Sequence, residues 1–385
     1  MEDEISIPTN DEKYNIIQKI LAIHTEDELT KLIDNDPFFS KYGDWEPVAG
    51  DITNIRFIGN QKITAVGTLT ELLVNSIDSL LMLGCIKTGK NPNEEGVPKS
   101  MKEASELYYG IPNGNIRNCF PKGRLDQTGT WTKLSLNVKT MNGVPITELA
   151  GNINMIFLGS EKGNHNTIII YDKGMGQSPQ KFKDSFLYYQ KDNKLNIPFV
   201  QGKYAMGATG VFPRCGLKKY VFILSTKHPD VCGPAEKNKW GFTIIRKNNS
   251  ILTKLDFFEY LCVKGEEKRI FSFPSKLIPN AVSGNMYDDN KQTTLTRGIE
   301  LGTYIKLFDF DIGVWGIKNM MDMFDLQLYD PVLPIRYDDG TVKKGKRQSW
   351  YLLGAETRFL MRKLIHPDYI EGIKIQFEIQ YGIKF

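Results

Sequence analysis

The stretch TLTELLVNSIDSLLMLG, Thr68 to Gly84, sets three oxygen-bearing side chains in line on an otherwise apolar helix. At about 100° per residue, Glu71, Asn75 and Asp78 fall within about 60° of one another, while Leu69, Leu72, Leu73, Ile77 and Leu80 point mainly the other way. Such a strip could hold a polar ligand. The plain alternative is an amphipathic helix whose polar side meets water, although Asn75 and Ser76 are mediocre mid-helix residues where a surface usually carries Lys, Glu or Arg. A second stretch, YDKGMGQSP, delivers Asp172 to the end of a strand-like run and follows it with Gly174 and Gly176. An aspartate there is placed to accept a hydrogen bond, and the glycines let a flat ligand approach the backbone; a plain turn has the same pattern. The third, QGKYAMGATGVFPRCG, is punctuated by Gly202, Gly207 and Gly210. Amides of a glycine-rich turn or helix start make a cradle for phosphates, and a flexible loop before a helix reads alike. A fourth stretch, GCIKTGKN at Gly84–Asn91, nearly spells a P-loop. Its last position is Asn91 instead of Ser or Thr, and it follows a helix where a P-loop follows a strand, so it is set aside.

The elements that must position these residues are an opening helical region, a helix-rich first core element and a run of strands. Ile16, Ile17, Ile20, Leu21, Leu29, Leu32 and Ile33 have helical spacing within 11–36, and Pro37 to Gly50 reads as a loop. Residues 87–125, including KTGKNPNEEG and YYGIPNGN, favour turns and read as an inserted excursion. From Leu134 the runs LSLNVKT, INMIFLG, NTIIIYD, YVFILST, WGFTIIRK and GTYIKLFDF predict a mostly β sheet with helices on one face. Beyond it the pattern predicts a helix over 314–328, a second helix in YLLGAETRFLMRKLI, and a half-buried strand in IKIQFEIQYGIKF.

Composition narrows the function classes. Forty-nine basic residues nearly balance 45 acidic ones over 385 residues, and the formal charge of +4 announces neither nucleic acid nor a membrane as partner. The basic stretch VKKGKRQSW, Val342 to Trp350, could touch DNA but reads better as a solvated hairpin tip. Apolar runs such as those at Asn166 and Tyr220 fall short of the roughly 20 residues that span a bilayer. The acidic start MEDEISIPTNDEK lacks an export signal, so a cytoplasmic location is expected. Cys85, Cys119, Cys215, Cys232 and Cys262 are not closely paired, which argues against structural zinc and a disulfide framework.

Taken in order, ELLVNSIDS, DKGMG and GKYAMGATG resemble the three nucleotide boxes of the GHKL, or Bergerat-fold, ATPases, and ELGTYIKLF (Glu300 to Phe308) resembles the Gly-Thr strand that closes their adenine pocket. The pattern is most similar to the microrchidia and heat-shock chaperone branches. This resemblance implies an α+β, two-layer sandwich with a mixed sheet and helices on one face, followed by a smaller transducer-like region. The corresponding boundaries are an N-terminal helical segment over 1–44, an ATP-binding domain over 45–312 with an insertion near 87–125, and the start of a second domain over 313–385. It implies ATP and Mg²⁺ as cofactors and slow ATP hydrolysis coupled to lid closure and to a homodimer or larger complex, possibly on DNA.

By resemblance, Glu71 is the general base that orients the attacking water, and Asn75 offers its side-chain oxygen to Mg²⁺. Asp172 accepts the adenine amino group, Gly176 gives the ring room, Gly174 counts with it among the nucleotide-binding residues, and Thr303 completes the network. Gly202, Gly207 and Gly210 wrap the phosphates, Lys191 or Lys203 adds positive charge, and Asp78 supports the pocket. The sequence departs from the pattern in three places. About a hundred residues separate Asn75 from Asp172, Thr209 stands where microrchidia-type boxes carry a lysine, and Ala205 replaces an expected glycine. These departures keep a second reading open, in which the pocket holds nucleotide without hydrolysing it, as a sensor or structural module.

Overall fold

The computed structural model describes residues 7–59, 64–120, 138–159, 165–188, 194–202, 207–234, 236–249, 256–265, 269–274, 299–313, 320, 323–324, 326–340 and 349–357. Among them, helices α1 (Asn10–Ala22), α2 (Glu26–Asn35) and α3 (Pro37–Tyr42) precede strand β1 (Gly43–Pro47). They are followed by α4 (Ile55–Ile58), α5 (Ala65–Lys87), α6 (Met101–Tyr109) and α7 (Ile146–Ala150). The strands are β2 (Ile153–Leu158), β3 (His165–Asp172), β4 (Val221–Thr226), β5 (Lys239–Asn249), β6 (Asp256–Val263), β7 (Phe271–Pro274), β8 (Gly302–Asp311), β9 (Ile335–Asp339) and β10 (Ser349–Leu352). The architecture is α+β in the broad sense, one large mixed sheet with packed helices. Its order is β1-β6-β5-β4-β8-β3-β2-β9-β10, with β7 added beside β5. All pairings are antiparallel except β2 with β9.

Helices cover both faces of the sheet, where a single covered face is expected from sequence. On one side Leu69, Leu72, Leu73, Ile77 and Leu80 of α5 pack with Met155, Ile168, Ile170, Val221, Ile223 and Leu307. On the other, Ile16, Ile17, Ile20 and Leu21 of α1 and Leu29 of α2 pack with Ile156, Ile169, Phe222, Leu224 and Phe308. Adjacent residues of β4 thus enter opposite cores, which is why its first four positions, VFIL, are all apolar instead of alternating. The fully buried Lys306 of β8 ties the N-terminal helices down: its ammonium donates to the carbonyls of Ile20 at 3.2 Å, Leu21 at 3.0 Å and Ile23, at the C-terminal end of α1.

Other elements depart from the sequence reading. Residues 37–50, expected as a loop, form α3 and β1, because Asp36 caps α3 through the Phe38 amide and Pro37 starts it. Residues 87–120 are not a detached excursion. Ala104, Ile111 and Ile116 are fully buried in the α5-side core, and Tyr109 donates its hydroxyl to the Leu80 carbonyl at 2.6 Å. The boundary expected at 313 is not a break in the sheet, since β9 extends it through β2 and β10 pairs with β9. Tyr351 and Leu352 lie in β10, where a helix was expected to begin. The expected strand over 373–385 lies outside the described residues. Among the described residues α5 is the one helix long and apolar enough to cross a bilayer, and it is mostly buried in the core.

Candidate functional site

Helix α5 starts where the Thr64 hydroxyl caps the Gly67 amide and lays its apolar face on the sheet. That seat turns Asn75, Ser76 and Ser79 toward the end of β3. The ladder of three strands then sets Asp172 of β3 opposite Thr303 of β8, and Thr303 opposite Ser225 of β4. Asp172, Thr303 and Ser225 therefore form one transverse row at the sheet end, beneath α5. Together with Leu72, Asn75, Ser79, Met175, Gly176, Lys194 and Gly202, Asp172 and Thr303 line a cavity of about 190 Å³. Ligand pockets usually run from about 300 Å³ upward, so this space suits a flat heterocycle, not a whole nucleotide.

The turn after β3 is pinned on both sides. The Gly174 amide donates to Asp172 Oδ1 at 2.9 Å, the Met175 amide to Ser79 Oγ at 2.9 Å, and the Gln177 amide to Ser225 Oγ at 2.9 Å. Gly176 has φ +58, and a Cβ there would stand 1.8 Å from the Thr226 carbonyl oxygen. Only glycine fits both demands. Ser225 Oγ also meets Thr303 Oγ1 at 3.0 Å and donates to the Gly302 carbonyl at 3.1 Å, so Thr303 is held from beneath the cavity by a hydrogen-bond network.

Asp172 is the electrostatic centre of the cavity. Its side chain is buried, and burial pushes the carboxyl up to about 7; the Gly174 amide, the Ser76 hydroxyl at 3.3 Å and the charge of Lys194 pull the other way with smaller effect. A carboxylate held this way, with a flat glycine wall beside it, suits recognition of an exocyclic amino group on an aromatic ring.

Asp78 does not face water as one side of an amphipathic helix would. It is fully buried. Its Oδ1 accepts from the Gln201 amide at 2.9 Å, its Oδ2 from the Gly202 amide at 2.8 Å, and Lys194 Nζ stands 3.3 Å away. Lys194 Nζ also lies 3.5 Å from Asn75 Oδ1. Gly202 is held so tightly that a Cβ would meet Asn75 Oδ1 at 2.6 Å.

The structure thus brings Asn75, Asp172, Gly176, Gly202 and Thr303 to one cavity. Asp78 lies behind it, and Gly174 lies against Ser79, whose hydroxyl would be 2.2 Å from an added Cβ. Glu71 is exposed on α5, one turn before Asn75, and is not among the lining residues. Partial desolvation, then the charge of Asp78, raises its carboxyl above the usual range. Gly207 and Gly210 belong to a 3₁₀ segment, Gly207–Arg214, packed against α5, and Gly210 is not among the lining residues. Lys191 and Lys203 lie outside the described residues. Sequence reasoning missed Lys194, Ser79 and Ser225. Ser76 had left a trace as an unexpected mid-helix serine, whereas nothing local distinguishes Lys194 from its neighbouring lysines.

No protein-family model matches the chain, and a search of curated proteins finds no relative. The cavity combines an amino-group acceptor on a buried floor, a glycine wall, and an amide oxygen and an ammonium among its lining residues. Among the described residues no group of three or more His, Cys, Asp or Glu side chains could hold a metal. A metal bound beside Asn75 Oδ1 would therefore take most of its ligands from phosphates and water, as Mg²⁺ commonly does.

Proposed function

We propose that the chain is a Mg²⁺-dependent ATPase of Bergerat type that binds ATP and hydrolyses it slowly. The observation that carries the reading is the transverse row Asp172–Thr303–Ser225 beneath α5, with Asn75 of α5 lining the same cavity as Asp172 and Thr303. The adenine amino group is accepted by Asp172, the ring lies against Gly176, and Thr303 fixes the ring edge. Asn75 would hold Mg²⁺, which would supply charge neutralisation to the phosphates. Glu71 orients a water toward the γ-phosphorus and takes its proton as the bond to the β–γ bridging oxygen breaks, releasing ADP and phosphate. Lid closure that drives a homodimer or larger complex, action on DNA, and a cytoplasmic location rest on the family resemblance alone.

A second reading has its own support. Glu71 does not line the cavity, and Thr209 and Ala205 depart from the hydrolytic pattern, which favours a nucleotide sensor that retains ATP. Two measurements separate the readings. Calorimetric ATP binding should be lost in Asp172→Ala, and single-turnover hydrolysis should be lost in Glu71→Ala with binding retained. Unchanged affinity in the first variant removes the pocket assignment, and a wild-type chain that binds ATP without turnover establishes the sensor.

A further inference from the structure

We propose that Asp78 is a built-in anion that holds residues 194–202 shut against α5 and is displaced when nucleotide phosphates enter. The proposal rests on the nucleotide reading above and concerns how that site is opened. Two successive backbone amides and an ammonium are the donor set that phosphate oxygens take. Here the Gln201 amide, the Gly202 amide and Lys194 Nζ are all taken by one carboxylate, at 2.9, 2.8 and 3.3 Å. Lys194 is the only cation among the described residues that line the cavity. Phosphate and carboxylate cannot hold the same donors, and their charges repel at this range.

A second observation agrees. The cavity, at about 190 Å³, is sized for a base, and Gly202, which lines it with Asn75, is backed so closely that an added Cβ would meet Asn75 Oδ1 at 2.6 Å and Asp78 Oδ2 at 3.0 Å. Room for phosphates beside Asn75 requires that contact to part. Lys194 Nζ also donates to Asn75 Oδ1 at 3.5 Å, so the clasp occupies the oxygen that would hold a metal along with the phosphate donors. The site is then selective by charge. A nucleoside fills the cavity and leaves the clasp intact, whereas a triphosphate with Mg²⁺ replaces Asp78 on the amides and Lys194 on Asn75.

The test compares the full-length wild-type chain with Asp78→Asn, an isosteric change that removes the charge and turns a donor toward one of the two amides. Titration calorimetry with MgATP and with adenosine should show ATP binding on the order of tenfold tighter in the variant and adenosine binding unchanged. Equal or weaker ATP binding with adenosine binding intact overturns the proposal, because the carboxylate is then a support and not a competitor. Wild-type protein that binds neither ligand marks failure of the nucleotide reading itself, and the proposal falls with it. If Asp78→Asn does not fold, the wild-type amide resonances of Gln201 and Gly202 decide: they should move with MgATP and stay in place with adenosine. Resonances that ignore bound MgATP overturn the displacement.

Discussion

Replacing Asp172 by Asn should make the protein more stable while it weakens nucleotide binding, and the stability gain should grow with pH. In the wild type, burial raises the carboxyl from 3.8 to about 7. Between those values the folded chain keeps a proton that the unfolded chain has lost. Stability therefore falls as pH rises through this window and levels off above about 7. At about 1.4 kcal/mol per decade, the loss reaches roughly 4 kcal/mol by pH 8, of which about 1.5 is already present at pH 5. The Asn side chain carries no such penalty, and its hydrogen bonds can be met. Its oxygen can accept the Gly174 amide, and its NH₂ can donate to Ser76 Oγ, whose single proton then goes to the Leu72 carbonyl at 3.1 Å instead of to residue 172. Urea unfolding followed by circular dichroism at pH 5, 6, 7 and 8 gives the stability difference between variant and wild type, in which other titrating groups cancel. That difference should grow by roughly 3 kcal/mol from pH 5 to pH 8 in favour of Asp172→Asn. A flat difference, or one that shrinks with pH, refutes the placement of a desolvated carboxyl at the cavity floor.

Three further substitutions probe the frame around the site. Gly176→Ala forces a Cβ into a left-handed backbone position 1.8 Å from the Thr226 carbonyl oxygen, and should cost about 2 kcal/mol or more in thermal or urea unfolding along with the adenine slot. Ser105→Ala removes the 2.6 Å bond from the Ser105 hydroxyl to the Val332 carbonyl and leaves that buried acceptor unpaired, a loss of about 1–3 kcal/mol in the same assay. Lys306→Met strips the donors from the carbonyls of Ile20, Leu21 and Ile23, and should lower stability by roughly 2–4 kcal/mol and speed hydrogen exchange in α1 ahead of α5.

How far the sequence discloses this molecule depends on the range of each interaction. Strands β2, β3, β4, β5 and β8 are legible because each carries a short run rich in apolar residues, and in β4 the unbroken VFIL is also the mark of burial on both faces. Reading those runs as covered on one face overlooked it. Strand β6 escaped because Glu259 interrupts DFFEYLCV, and the structure shows why a carboxylate is tolerated there. It is nearly buried and bridges Arg246 and Asn248, each at 2.6 Å. The region 87–120 looked loose because its Gly, Asn and Pro residues are turn formers, yet its few apolar residues are all that is needed to seal one side of α5. Within the site, Asn75, Asp172 and Gly176 were legible from local pattern, since each is dictated by its own helix, strand end or turn. The partners of Asp78 were not. Lys194, Gln201 and Gly202 reach it from more than a hundred residues along the chain, and no local spacing encodes that meeting.

The most direct test of the nucleotide site is a crystal structure of the full chain with Mg²⁺ and a nonhydrolysable ATP analogue. The adenine should lie in the cavity with its amino group on Asp172, between Gly176 and Thr303, and the metal should rest on Asn75. Analogue density at any other place on the molecule, with Asp172 and Asn75 untouched, would contradict the account.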